Sequence, residues 1–272
     1  MQHLDYELER AFVALMTVGE RVVTFVSTTA AGLPADHQDI WWTPGESGHG
    51  VAMIQHGRNL FLAWYLYDSA GKPQWVVLPE GSWNSALSEF TGALYLPSGA
   101  PFAQYDERRF SANAPVGSAT LRFAGADAAT LSFTINGIAG SKPLVRFPFG
   151  SASSTAPGGY GDLWWGGTGN NGWGISISQQ SGMLFIAWYT YDAAGRPQWF
   201  VAPAGSWLGS TWTADVYRTA GSPVVGAVFD PSRVTATRVG TLALRFGDAN
   251  RASMRFDVDG QRGQFALTRL GF

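Results

Sequence analysis

The segment Gly45-Glu46-Ser47-Gly48-His49 brings an acid, a hydroxyl and an imidazole close together in the sequence. A serine, a histidine and a carboxylate support nucleophilic hydrolysis when they lie within hydrogen-bond reach of one another. The segment departs from the nucleophile-elbow pattern, because its last position is His rather than Gly and the elbow also requires a strand, a turn and a helix. A glycine-rich loop whose polar side chains bond the local backbone explains the same residues. A hydrolase site here is therefore an alternative hypothesis.

Paired carboxylates are a second source of chemistry, since glycoside hydrolysis requires two acids that flank a cleft. Glu46 and Glu80 are the remaining pair, because Asp68 and Asp192 stand where turns are expected. All four histidines lie within the first 56 residues. His49 and His56 are an odd number of residues apart, so on one regular strand they face opposite sides, and we expect no metal site there.

The 12 tryptophans of the chain are the main candidates for binding a ligand. Trp41-Trp42 and Trp164-Trp165 are adjacent pairs, and consecutive side chains on a strand face opposite sides. One member of each pair therefore needs an environment outside the core that the other enters. An exposed indole face suits stacking on a sugar ring or an apolar ligand, whereas a buried one anchors a core.

Composition excludes several classes of protein. The absence of cysteine excludes thiolate zinc sites, iron–sulfur clusters and cysteine catalysis. A net charge of −2 gives no basic excess for a nucleic-acid partner. No apolar run reaches the length needed to span a bilayer as a helix. The run Gly166-Gly167-Thr168-Gly169 lacks the lysine of a phosphate-binding loop, so we expect no cofactor.

An internal duplication determines the domain organisation. Asp39–Trp83 aligns with Asp162–Trp207 with one gap opposite Thr168, and more than half of the aligned positions are identical. We therefore divide the chain into a first unit (residues 39–149) and a second unit (residues 162–272), joined by a Gly- and Ser-rich linker (residues 150–161). Residues 1–38 form an N-terminal segment, which we interpret as a packing helix over about Leu4–Val18, with a degraded secretory leader as the alternative.

Alternating hydrophobicity predicts β-strands in both units. In the first unit we expect about eight, near residues 40–42, 50–56, 60–67, 74–79, 89–96, 117–123, 130–136 and 141–147. Asp68 and Gly71 predict a tight turn between two of them, in which the glycine has a positive φ. Short connections favour an antiparallel meander that closes into an approximately eight-stranded barrel, so we predict an all-β protein of two such barrels. An open sandwich, or one assembly in which the two copies share sheets, is the alternative.

The combined motif resembles a known family of repeats. Trp41-Trp42-x-Pro44-x-Glu46-Ser47-Gly48-x-Gly50, Tyr67-Asp68-x-x-Gly71-x-Pro73-x-Trp75 and Val116-Gly117 before Leu121-x-Phe123 are similar to a repeat of uncharacterised, exported proteobacterial proteins. The resemblance implies an exported β module, in the periplasm or outside the cell. The chain departs from the pattern at His49, where the family has Trp, and at Asn170-Asn171, which replace Glu-Ser. In architecture alone, the meander resembles avidin and lipocalin barrels.

The sequence favours non-catalytic binding of a glycan or a small apolar ligand through aromatic platforms repeated in the two units. Two weak sites on one chain would raise avidity. The first alternative is a glycoside or ester hydrolase with Glu46, Ser47, His49 and Glu80 in its site, and the second is a structural cell-surface module. The candidate ligand-binding residues are Trp41, Trp42, Trp64, Tyr67, Trp75, Trp164, Trp165, Trp173, Trp188, Tyr191 and Trp199.

Overall fold

The computed structural model describes residues 32–150 and 155–272. Strand formation follows the alternation of the sequence, and the strands of the first unit are β1 (Asp39–Trp42), β2 (Gly50–His56), β3 (Asn59–Tyr67), β4 (Pro73–Leu78), β5 (Gly81–Trp83), β6 (Glu89–Tyr95), β7 (Pro115–Phe123), β8 (Ala128–Ile135) and β9 (Ile138–Arg146). Two single-turn 3-10 helices, Phe102–Gln104 and Glu107–Arg109, lie between β6 and β7.

The second unit repeats this order. Its strands are β10 (Asp162–Trp165), β11 (Gly174–Gln180), β12 (Met183–Tyr191), β13 (Pro197–Ala202), β14 (Gly205–Leu208), β15 (Thr211–Ala220), β16 (Thr235–Phe246), β17 (Arg251–Val258) and β18 (Gln261–Arg269). A 3-10 helix at Pro231–Arg233 precedes β16.

Each unit is a closed antiparallel barrel with its own sheet. In the first unit β1 pairs with both β2 and β9, and β4 pairs with β6, which closes the ring of eight strands. The second unit closes in the same way, through β10 with β18 and β13 with β15. The prediction of two barrels is confirmed, and the alternatives of an open sandwich and of shared sheets are not. Sequence reasoning missed the short strands β5 and β14, which extend the line of β4 and β13.

The N-terminal helix expected over Leu4–Val18 lies outside the described residues. Residues 32–38 are described and have no regular secondary structure. They cover one end of the first barrel, where the His37 ring stacks on Phe123 at 3.6 Å between centroids. Tyr160 stacks on Phe246 at the same end of the second barrel. Among the described residues, no helix is both long and apolar enough to cross a membrane.

The two faces of β3 are both buried, although alternation along a strand puts only one face inside its barrel. Leu62 and Trp64 point inward, and the Trp64 ring lies 4.8 Å from Phe133 on β8. The opposite face carries Tyr65 and Tyr67, which are also buried. These outward side chains are covered by the second unit, whose β12 has the same arrangement.

The outer faces of β3–β4 and β12–β13 pack against each other through contacts that occur in pairs. The Trp75 indole N–H donates to the Thr190 carbonyl oxygen at 3.0 Å, and the Trp199 indole N–H donates to that of Leu66 at 3.2 Å. Thr190 occupies in the second unit the position of Leu66 in the first. The Tyr65 hydroxyl lies 2.9 Å from Ser176 Oγ at the same interface. The two barrels are thus related by an approximate twofold arrangement.

Each unit also closes an end of its partner through a long loop. We name residues 96–114 the first crossing loop and residues 221–234 the second crossing loop. Phe102 of the first crossing loop packs between Trp188 and Phe256 of the second barrel, at centroid distances of 4.8 and 5.2 Å. Phe229 of the second crossing loop packs on His49 of the first unit at 4.8 Å. The interiors of the two barrels therefore depend on each other.

The turn after β3 connects the units and yields a testable prediction. Asp68 accepts backbone hydrogen bonds from Ala70 and Lys72. Gly71 has φ +76°, as the sequence predicted, and a Cβ there would lie 2.4 Å from the carbonyl oxygen of Gly221 in the second crossing loop. Gly137 has φ +80° with nothing within 4 Å of the corresponding position. Gly71→Ala should therefore lower the unfolding temperature more than the matched control Gly137→Ala, whose backbone strain costs about 1–2 kcal/mol.

Thermal unfolding of the two purified variants measures this difference. Equal losses for both would contradict the close packing of the second crossing loop on the turn.

A histidine–carboxylate pair between the units makes stability depend on pH. His56 Nε2 lies 3.0 Å from an Asp162 carboxylate oxygen, and that carboxylate raises the pKa of His56 above its usual 6.5, although burial opposes the shift. The pKa of His56 is therefore higher in the folded than in the unfolded protein. The pair contributes its full stabilisation below about pH 6.5, and this stabilisation is lost as the pH rises through the folded-state pKa. Gln180, the counterpart of His56, bonds Asp39 without titrating.

The His56→Gln variant tests this pH dependence. We expect the difference in unfolding temperature between wild type and variant to shrink by a few degrees between pH 6 and pH 8, as measured by calorimetry. A difference that is constant over this range would contradict the prediction.

Candidate functional site

A cleft lined mostly by apolar side chains lies between the two barrels. Its volume is about 220 Å³. β1 and the following loop form one wall, and β12, β13 and β15 of the second unit form the other. The lining residues are Ile40, Trp41, Trp42, Ser47, Gly48, His49, Gly50, Tyr65, Phe147, Phe185, Ala187, Trp199, Val201 and Thr219.

The adjacent tryptophans explain how β1 forms this wall. Trp41 faces the barrel interior, donates its indole N–H to the His37 carbonyl oxygen, and is fully buried. Trp42 faces outward, as alternation requires, and remains partly exposed beside Phe147 at 5.6 Å between centroids. The expectation that the two members of the pair need different environments is confirmed for Trp41 and Trp42.

The duplicated surface on the other side of the twofold arrangement is almost closed. It contains the counterparts Phe61, Trp75, Val77 and Tyr189, but its volume is only about 30 Å³. Tyr95 and Phe110 of the first unit line this second cleft, and Trp165, the counterpart of Trp42, is 2% exposed. A space of 30 Å³ holds little more than a water molecule. The two units therefore differ most where their barrels meet.

Beside the open cleft, three charged or titratable side chains form a cluster, which we call the ion cluster. Glu46 Oε2 lies 2.9 Å from His49 Nε2 and 2.6 Å from Lys142 Nζ on β9. Burial favours the protonated form of Glu46, but the Lys142 ammonium and the His49 ring outweigh it and lower the pKa of Glu46. Burial lowers the pKa of His49 below 6.5, against the opposing effect of Glu46. At neutral pH the cluster thus holds a carboxylate, an ammonium and a neutral imidazole.

The structure brings together only part of the predicted hydrolase site. Glu46 and His49 are in contact, but His49 Nδ1 has no hydrogen-bond partner among the described residues, and Ser47 is exposed on the loop. Glu80 follows β4 at the opposite end of the barrel from the β1–β2 loop, so Glu46 and Glu80 do not flank one cleft. Lys142 was not predicted, because it lies on β9 and is distant in sequence from its partner Glu46 in the β1–β2 loop.

Most of the candidate aromatic residues lie in the barrel cores or the interface rather than on open platforms. Trp64 and Trp188 are inside the barrels, and Trp173 packs on Phe265 at 4.3 Å. Trp164 is buried beneath the Arg269 guanidinium, as Trp41 is beneath Arg146. Of the residues predicted to bind a ligand, those that line the open cleft are Trp41, Trp42 and Trp199.

The two predicted tyrosines have matching structural contacts. Tyr67 donates its hydroxyl hydrogen bond to the Gly48 carbonyl oxygen at 2.6 Å, and burial raises its pKa to about 12. Tyr191 donates to the carbonyl oxygen of Gly172 in the same way. Both phenols therefore stay protonated at neutral pH and fix the loop that follows the first strand of each unit.

The cleft residues that sequence reasoning missed come from both units, and Tyr65 and Phe147 belong to the first. Phe185, Val201 and Thr219 line the wall opposite Trp42. The signal for them was the apolar outward face of β12, which a solvated barrel surface would not carry.

Comparisons with protein-family models, with curated proteins and with solved structures find no match.

The duplicated pair Trp42 and Trp165 provides a matched test of this geometry. Trp165→Ala should lower the free energy of unfolding by about 3–5 kcal/mol, because it removes a fully buried indole. Trp42→Ala should cost clearly less, since Trp42 is partly exposed beside an existing cleft. Urea denaturation measures both, and equal costs would contradict the difference in burial.

Proposed function

We propose that the protein binds a small, neutral, apolar ligand in the cleft between its two units, without catalysis. The observation that carries the proposal is the difference between the duplicated surfaces, about 220 Å³ on one side and about 30 Å³ on the other.

The chemistry of the lining supports an apolar ligand over a glycan. The walls are mostly aromatic and aliphatic, with the hydroxyls of Ser47 and Thr219 as the side-chain polar groups besides Tyr65 and the rings of His49 and the tryptophans. A glycan would lose hydrogen bonds to water that these walls do not replace. A charged ligand would meet a neutral His49 and no lining carboxylate, lysine or arginine among the described residues.

The size of the cleft supports a ligand of one or two rings. An apolar cavity of about 150 Å³ holds benzene, and pockets for drug-sized molecules measure about 300–1,000 Å³. The Trp42, Phe147 and Phe185 rings at the cleft offer edges and faces for ring–ring contacts.

Titration with 2-naphthol, which is neutral at pH 7, tests the proposal. By calorimetry we expect saturable binding to wild type and binding at least about tenfold weaker to Trp42→Ala and to Val201→Trp, which fills the cleft. Leu208→Ala, a change at an exposed residue of β14, is the matched control and should bind as wild type does.

Cellobiose in place of 2-naphthol distinguishes the ligand classes. Binding of cellobiose that exceeds that of 2-naphthol would favour a glycan site. Unaltered 2-naphthol binding by folded Val201→Trp would show that the ligand lies elsewhere and would contradict the proposal.

A further inference from the structure

We propose that the ion cluster of Glu46, His49 and Lys142 positions the β1–β2 loop so that the cleft lined by Trp42, here called the first cleft, stays open. This inference rests on the proposed function, because it assigns the residues that control the same cleft. It makes Glu46 and Lys142 positioning residues, which act on the ligand through the loop, whereas His49 also lines the cleft itself.

In the second unit, different side chains fill the space that corresponds to the ion cluster. There Asn170, Trp173 and Phe265 occupy the positions of the three cluster residues. The Trp173 indole packs on Phe265 and lies directly against Gly166, where an added Cβ would be 2.8 Å from it. Gly166 follows Trp165, which is buried in this unit. An aromatic pair at the loop thus lies beside the closed cleft, which Phe110 of the first crossing loop and Gly172 of this loop line.

The first unit replaces each element of that packing. Thr43 stands in place of Gly166, and its side chain is buried, so an indole at position 49 would meet it. His49 is smaller than Trp173 and is held by Glu46, which Lys142 binds from β9. The loop itself is one residue shorter than its counterpart. Trp42, which precedes this loop, stays partly exposed.

The β1–β2 loop contributes residues both to the ion cluster and to the wall of the cleft. Ser47 and Gly48 line the cleft, and Gly48 is fixed by Tyr67 on β3 and packs on Val234 of the second crossing loop. Glu46 fixes the same loop to β9 from the other side. Movement of His49 or Glu46 therefore displaces the cleft wall.

The ion cluster is partly buried, since the side chains of Lys142 and Glu46 are 12% and 24% exposed. Replacing buried ion pairs by well-packed apolar side chains is often neutral or stabilising. The second unit shows that the fold accepts the apolar solution at this place. A polar cluster retained at such a position is typical of a functional site, where stability is given up for activity.

The charges around His49 make the position of the loop depend on pH. Its ring faces Glu46 on the loop, Lys142 on β9 and Phe229 on the second crossing loop, and Asp230 beside Phe229 bonds Ser232 instead. Nε2 is engaged by Glu46, so an added proton on buried Nδ1 finds no acceptor among the described residues. Because the pKa of His49 is lowered in the folded protein, the neutral ring and the loop position that depends on it are fully present above about pH 6.5. They are lost as the pH falls through the folded-state pKa of His49.

A triple variant that transfers the packing of the second unit tests the inference. Glu46→Asn, His49→Trp and Lys142→Phe together should close the first cleft, so that 2-naphthol binds at least about tenfold more weakly at pH 7.5 than to wild type. Wild-type affinity in the folded triple variant would overturn the inference.

The pH dependence of binding gives a second measurement that does not require the triple variant to fold. Wild type should lose affinity for 2-naphthol between pH 7.5 and pH 5, where the ligand itself stays neutral. His49→Gln keeps an N–H donor for Glu46 but cannot titrate, so its affinity should vary much less over this range. His37→Gln, which removes another histidine of lowered pKa, is the matched control and should keep the wild-type pH dependence.

The two proposals fail in different ways. If wild type binds no 2-naphthol at either pH, the proposed function is contradicted and this inference with it. If wild type binds, and His49→Gln retains the full loss of affinity at pH 5, the inference alone is overturned.

Discussion

The burial of the aromatic outer faces of β3–β4 and β12–β13 is the constraint on which the rest of the structure depends. A barrel of this size fills its own interior, so side chains such as Tyr65 and Trp75 that point outward need a partner surface. Burying each large apolar side chain contributes about 1.5–3 kcal/mol. The indole N–H groups of Trp75 and Trp199 find acceptors at the same interface, namely carbonyl oxygens of the other unit. The duplication supplies the two matching surfaces on one chain.

The crossing loops follow from the same packing. Once β3 and β12 face each other, the loops after β6 and β15 lie next to the ends of the opposite barrels. Phe102 then completes the core around Trp188, and Phe229 covers His49. The stability of each unit consequently depends on the other unit. The packing of the second crossing loop also brings Gly221 against the turn at Gly71.

The strands and the Asp68–Gly71 turn could be predicted from the sequence, because alternation and turn chemistry are local. The duplication predicted two barrels, since each copy contains enough strands to close. The assembly of the barrels was not predicted, because the alternation of Leu60, Leu62 and Trp64 with Phe61 and Tyr65 was interpreted within one strand. The apolar character of both faces was the available signal for an interface. The contact of Lys142 with Glu46 depends on the closure of β9 onto β1, which no local pattern encodes.

The candidate site arises where the two units depart from their common plan. His49 in place of Trp173 and Lys142 in place of Phe265 exchange aromatic packing for charge, next to the cleft that Trp42 lines.

The position of a bound ligand in a crystal tests whether the cleft between the two units is the binding site. Crystals grown with 4-bromophenol, a neutral single-ring compound, allow the bromine to be located by its anomalous scattering. We expect one strong peak, between Trp42 and Val201, and none at the narrow cleft beside Trp75 and Val77. A peak of equal height at both clefts, or a sole peak away from the interface of the two units, would contradict it.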